Sequence, residues 1–254
     1  MSRLLNQLQD KKARNEKSLA VLVDPDKATD VGELIRLINL CTESKVDYLL
    51  VGGSLIANDS FSKVISVMKT NCTIPVVIFP GNHIQIDSNA DAIFLLSLIS
   101  GRNPDFLIGQ HVLAAPILKK SELEIIPMGY MLVNSGAPTS ASYMSSTVPL
   151  PSDKPTIAAC TALAGEMLGL RSIYLDAGSG AEEPIPQKII STVARSIDVP
   201  LIVGGGINSI SRVNLALEAG ADMIVIGNAL EKEERFLIEI SERIHTLNKN
   251  LDIH

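Results

Sequence analysis

The residues able to do chemistry lie in short turns that end apolar runs. Gly204-Gly205-Gly206-Ile207 ends one such run, just ahead of Ser209, and Gly227-Asn228 ends the next. Glycine lets backbone N–H groups approach oxygen atoms with no Cβ in the way, so two such turns in succession point to phosphate rather than to ordinary turns. Tyr174-Leu175-Asp176-Ala177-Gly178-Ser179-Gly180 ends the run before them, and its glycines and Ser179 suit the same anion. Asp176 fits two readings on spacing alone, a catalytic carboxylate or a helix cap beside a flexible turn. Asp24-Pro25-Asp26-Lys27 places two carboxylates where Mg²⁺ would find oxygen ligands, yet by itself the stretch reads as a helix-initiating turn. Ser54, after Gly52-Gly53, is a second oxygen ligand or another cap. Arg102, in SGRNP, is either a bidentate phosphate grip or a solvated loop residue. The histidines show no ligand spacing. His111 lies in an apolar helical stretch and reads as a core or partner residue, and His83 follows FPGN, where a site role stays open.

The elements that must position these turns are eight apolar runs, at 18–25, 48–54, 75–81, 92–98, 124–133, 172–178, 200–207 and 223–228. Each is continuous rather than alternating, as strands buried on both faces are. Helical spacing appears between them, for example at Leu34, Leu37, Ile38 and Cys41, and at Ile189, Ile190, Val193 and Ile197. Asn58 and Ser209 are N-cap candidates. Eight strands alternating with helices predict a single-domain (β/α)8 TIM barrel over residues 1–254, with a doubly wound open sheet as the rival. An amphipathic N-terminal helix carries Leu4, Leu5 and Leu8, and both ends of the chain are expected to be helical. The helix near HIQIDSNA is expected to be short. The polar, Pro-rich stretch 134–156 is expected as a long loop at the catalytic mouth.

Composition narrows the partners. Of 254 residues, 22 are Lys or Arg and 28 Asp or Glu, a net charge of −6 that argues against a nucleic-acid footprint but not against one small anion bound by backbone N–H groups. Mean hydropathy of +0.26 excludes disorder as the main state. Cys41, Cys72 and Cys160 have no metal or redox spacing and read as core thiols of a reduced, cytoplasmic protein. No signal peptide or membrane span is expected, since the longest apolar candidate, 92–100, is about half the length a bilayer needs.

DPDK, GGS, FPG, SGRNP, AGEMLGL, YLDAGSGA, GGGI and GADMIVIGN, in that order over residues 18–230, resemble the geranylgeranylglyceryl phosphate synthase family, which includes the PcrB-like proteins. The resemblance implies a prenyltransferase on a TIM barrel. It would join sn-glycerol 1-phosphate to a prenyl diphosphate through an ether bond, release diphosphate and use Mg²⁺. By motif, Asp24 matches the magnesium-binding Asp and Ser54 the second metal position. Tyr174, Leu175, Asp176, Ala177, Gly178, Ser179 and Gly180 match the glycerol-phosphate loop, with Tyr174 and Asp176 as catalytic candidates. Gly205, Gly206, Gly227 and Asn228 match the phosphate turns. The AGE-containing form of the segment before the sixth run resembles the branch that takes a geranylgeranyl donor.

One position departs from the family. The residue that takes the glycerol proton is commonly Glu there and is Asp176 here, one methylene shorter. The resemblance further implies a homo-oligomer, dimer or hexamer, and passing contact of the lipid product with a membrane surface. With 5 Phe, 4 Tyr and no Trp, a prenyl groove would have to be lined largely by small and aliphatic residues. Other readings of the same turns are a sugar-phosphate isomerase or aldolase, a flavin-binding barrel, and a catalytically silent phosphate-binding barrel. A Schiff-base aldolase needs an inward strand-end lysine, and Lys27 lies just past a strand rather than in one.

Overall fold

The computed structural model describes residues 3–227 and 234–251; Asn228 and His254 lie outside the described residues. Eight strands close into a barrel in chain order: β1 (Ser18–Val23), β2 (Tyr48–Val51), β3 (Val76–Ile78), β4 (Ala92–Leu98), β5 (Glu124–Leu132), β6 (Ser172–Asp176), β7 (Leu201–Gly204) and β8 (Met223–Ile226). Every neighbouring pair is parallel, and β8 closes on β1 from Ser18↔Met223 to Val21↔Ile226. The doubly wound alternative is thereby excluded. Outside lie α2 (Val31–Glu43), α3 (Phe61–Asn71), α4 (Gln110–Leu118), α6 (Pro155–Met167), α7 (Gln187–Ala194), α8 (Ile210–Glu218) and α9 (Glu234–Leu251). The helix α1 (Arg3–Ala13) precedes the barrel, and the short α5 (Ser140–Ser145) follows β5.

The continuous apolar runs have two destinations, because side chains alternate across a strand. Leu19, Val21 and Val23 pack into the shell beneath the helices, and Ala20 points inside. The interior is filled from the bottom by Leu4, Leu5 and Leu8 of α1, then by Tyr48, Leu50, Phe94, Met128 and Tyr174. The α1 plug is tied to β5. Glu124 accepts from the amides of Arg3, Leu4 and Leu5 at 2.8, 2.7 and 2.8 Å, satisfying three of the N–H groups a helix start leaves open. Lys12 pairs with Asp222 at 3.0 Å on the same end of the barrel.

The short helix expected near HIQIDSNA does not form: residues 79–91 are turns and bends. Local side-chain bonds take the backbone instead. Asn82 Oδ1 accepts from Ile84 N at 3.0 Å and Asp87 Oδ1 from Asn89 N at 2.9 Å, the competition that disfavours helices. The stretch 134–156 does lie at the mouth, and it is pinned there. Asn134 N donates to Leu150 O and Leu150 N to Leu132 O, both at 2.8 Å, and Thr139 with Ser142 forms a capping box on α5. Ser209 caps α8 as expected. Asn58 caps nothing, since Ser60 precedes α3 and the Asn58 amide donates to Asp26. Of the three thiols only Cys41 is buried, its pKa pushed up to about 12 by desolvation, whereas Cys160 is exposed on α6. No helix among the described residues is long and apolar enough to cross a membrane.

Candidate active site

All the chemistry-bearing turns stand at the C-terminal ends of strands, on one rim. Register sorts the β6 residues. Tyr174 pairs with Ile202 and Asp176 with Gly204, so both point inside, and Leu175 and Ala177 belong to the outer shell. The Ala177 amide is already donated to Gly204 O at 3.1 Å. Asp176 is only 8% exposed. Its Oδ1 accepts from the Gly178 amide at 2.7 Å and its Oδ2 from the Tyr130 hydroxyl at 2.5 Å. Burial raises the carboxyl above the ordinary carboxylate range, and the two bonds oppose that rise. Tyr174 lies one layer deeper, packed with Phe79 and Tyr130.

The glycine turns are crowded where they meet protein. Gly178, Gly205 and Gly206 have φ of +94°, +79° and +66°, a backbone that side-chain-bearing residues avoid. A Cβ on Gly205 would stand 2.6 Å from Asp176 Oδ1, and one on Gly206 would stand 2.8 Å from Glu183 O. Gly227 differs: among the described residues a Cβ there meets only Leu22, at 3.8–3.9 Å. Ser179 and Gly180 are exposed on the same rim. Arg212, on α8, donates to Gly206 O at 2.7 Å and Glu182 O at 3.3 Å, engaging a carbonyl that would otherwise repel an anion. Arg102, by contrast, folds onto the carbonyls of Gly101 and Ile99 in its own turn, which is the solvated-loop reading.

On the other flank, alternation from Ala20 and Leu22 aims Asp24 inward, half-buried. The two carboxylates of DPDK have separate jobs. Asp24 Oδ1 accepts from Asp26 N at 3.1 Å, while the Asp26 carboxylate accepts from Ala57 N and Asn58 N at 2.7 and 3.1 Å, bracing the loop after β2. That loop passes close to Asp24: a Cβ on Gly53 would lie 3.5 Å from Asp24 Oδ1, and Ser54 follows, half-buried. Gln85, buried, fastens the β2 and β3 turns together by accepting from Gly81 N at 2.9 Å and donating to Gly53 O at 3.2 Å.

Where the helix expected after β3 does not form, an apolar groove runs from the mouth down α4. Gly53, Ser54 and Tyr130 line its upper end, and Ile93, Ala114 and Leu118 lie further along. His83 and Gln110 bridge its wall at 2.5 Å, and His111, half-buried, has its pKa lowered by desolvation. Tyr130, Gln85, Thr139 and Arg212 escaped the sequence reading. None sits in a glycine- or carboxylate-rich turn, and Tyr130 pairs in register with Tyr174, its hydroxyl reaching diagonally to Asp176.

The molecule is thus a closed (β/α)8 barrel with glycine turns on three adjacent strand ends and a buried carboxylate beside them, its polar, glycine-lined mouth opening onto an apolar groove. Residues 11–246 match the PcrB family, and the chain belongs to that family. It is similar to the geranylgeranylglyceryl phosphate synthase of Spirosoma linguale, 52% identical over 244 residues, covering 96% of this chain and 98% of that one. The enzyme of the same name from Chitinophaga pinensis is 50% identical over 244 residues, 96% of each. Among solved structures, (S)-3-O-geranylgeranylglyceryl phosphate synthase from Thermoplasma acidophilum, in complex with sn-glycerol-1-phosphate, superposes with a TM-score of 0.90 at 32% identity, covering 96% of this chain and 99% of that one.

Proposed function

We propose that this chain joins sn-glycerol 1-phosphate to a prenyl diphosphate through an ether bond, releasing diphosphate, and that its donor is geranylgeranyl diphosphate. One observation carries the reading: the glycine turns of β6–β8 and the apolar groove along α4 open into the same mouth, with Asp176 and Tyr130 between them. The names of the relatives and the glycerol-phosphate complex of the Thermoplasma structure support it.

Each flank does one thing. The groove takes the prenyl chain out of water. The turns around Gly178, Gly205, Gly206 and Gly227 hold the phosphate and so aim the glycerol hydroxyl at the head of the prenyl chain, which is catalysis by orientation. Asp176 accepts the hydroxyl proton, and its burial makes it a stronger base than an exposed carboxylate.

Among the described residues no three His, Cys, Asp or Glu side chains cluster as a cage for a metal. Mg²⁺ needs none, since it binds through one or two carboxylates together with substrate phosphates, and the inward Asp24 beside Ser54 suits that mode. There it would neutralise charge on the departing diphosphate. The exposed Val112, Leu113 and Ile117 on α4 support a homo-oligomer, and the exposed Tyr143 and Val148 near the mouth favour passing contact with a lipid surface.

The test is incubation with radiolabelled sn-glycerol 1-phosphate, Mg²⁺ and prenyl diphosphates from geranyl upward, with sizing of the product. A prenylglyceryl phosphate formed best from the geranylgeranyl donor is expected. Absence of prenyl product with every donor would overturn the reading.

A further inference from the structure

We propose that Tyr130 carries the glycerol proton to Asp176, so that the base acts through the tyrosine hydroxyl rather than on the substrate directly. This rests on the reaction assigned above and concerns how its proton leaves.

Three observations converge. First, Asp176 is walled on its Oδ1 side: the Gly178 amide is bonded there, and Gly205 packs so closely that a Cβ would stand 2.6 Å from that oxygen. Second, the other oxygen, Oδ2, is engaged by the Tyr130 hydroxyl at 2.5 Å. Third, Tyr130 is part of the groove lining, which also includes Met144 and Ser145. The groove and the carboxylate therefore meet at the Tyr130 hydroxyl. A prenyl head group arriving from the groove and a glycerol hydroxyl arriving from the phosphate turns come together on that side.

A phenol oxygen both donates and accepts, which is what a carrier requires. As the glycerol oxygen forms its bond to C1 of the prenyl chain, the C1–O bond to diphosphate breaks and its electron pair leaves with diphosphate. The glycerol proton passes to Tyr130 Oη, and the proton of Tyr130 passes to Asp176 Oδ2. Tyrosine is neutral before and after, and Asp176 ends as the carboxylic acid, losing its proton to water after product release. The tyrosine thereby extends the reach of an aspartate one methylene shorter than a glutamate.

The test combines Tyr130→Phe, Asp176→Glu and the double variant, with kcat and both KM values measured and folding checked by thermal unfolding. Tyr130→Phe is expected to lower kcat by about 100-fold with KM values little changed, as for loss of a proton-transfer group. In the double variant the longer carboxylate reaches the substrate itself, so kcat should recover at least tenfold over Tyr130→Phe. A merely structural tyrosine gives no such rescue. In wild-type protein, single-turnover rates in H₂O/D₂O mixtures should follow a bowed line, because two protons move together. Near-wild-type kcat in Tyr130→Phe, a double variant no faster than Tyr130→Phe, or a straight isotope plot would each overturn the proposal. Failure of wild-type protein to form any prenyl product would instead overturn the reaction on which it rests.

Discussion

Gly204 lies directly against the Tyr174 hydroxyl: a Cβ at position 204 would stand 2.1 Å from Tyr174 Oη and 3.0 Å from Cζ. The interior is filled at this layer by Tyr174, Tyr130 and Phe79, with centroid separations of 5.1–5.8 Å, so the ring has nowhere to retreat. Gly204→Ala is therefore expected to cost roughly 1–3 kcal/mol of stability through overpacking. Tyr174→Phe in the same chain removes the closest atom and should return part of that loss. Thermal or urea unfolding of the single and double variants decides it, and strictly additive effects would show that the contact is not what matters.

Burial raises the Asp176 carboxyl, against the bonds from Tyr130 and Gly178. As a proton acceptor it must be ionised, so kcat should fall on acidification through a pKa above the ordinary Asp value of about 3.9. Stability runs the other way. A carboxyl raised in the folded state favours folding while protonated, and that contribution fades as pH rises from the unfolded pKa through the folded one. Activity should climb across the window in which this group's share of stability declines. Tyr130→Phe removes a bond to the ionised form and should move the acid limb further up. A wild-type limb at or below the ordinary Asp value would contradict the assignment.

Asp24→Asn keeps the shape of the side chain and removes the anionic oxygen proposed to bind Mg²⁺. Loss of Mg²⁺-dependent activity on the order of 100-fold is expected, with the fold intact, because metal stabilisation of departing charge is worth several kcal/mol. The check is a Mg²⁺ titration of rate together with an unfolding curve. Wild-type turnover with the same Mg²⁺ dependence would remove Asp24 from the metal.

Gly206→Val puts a branched side chain at φ +66° and within 2.8 Å of Glu183 O. The turn must shift, and a phosphate bound there as proposed would shift with it. KM for glycerol 1-phosphate should rise by about tenfold or more, equivalent to roughly 1.4 kcal/mol of binding or more, with KM for the prenyl diphosphate far less affected. Equal losses for both substrates would show that the two ligands do not divide the mouth as proposed.

Most of the barrel was legible because its signal is redundant. Eight continuous apolar runs can be buried on both faces in few ways, and the strands fall inside those runs. The segment after β3 was misjudged because Asn82 and Asp87 bond their own backbone, and that choice cannot be read from apolar spacing. The glycine turns were legible as special backbone because glycine there is a conformational requirement, seen in the positive φ of Gly205 and Gly206. Tyr130 was hidden for the opposite reason: it sits within an apolar run, and a tyrosine in a strand reads as core until the register places it opposite β6. Arg212 drew no notice because its partners are carbonyls, which leave no mark on composition.

The tie between α1 and Glu124 constrains the order of events during synthesis. The helix is made before β5, and the carboxylate that caps its amides lies 119 to 121 residues later. Until β5 exists, Leu4, Leu5 and Leu8 have no barrel floor to enter, and closing so long a loop brings its reward only at the end. Sealing of the floor must therefore follow assembly of at least the first five strands. A chain stalled before that point carries an apolar helix in search of a partner, a hazard for aggregation that the finished molecule conceals.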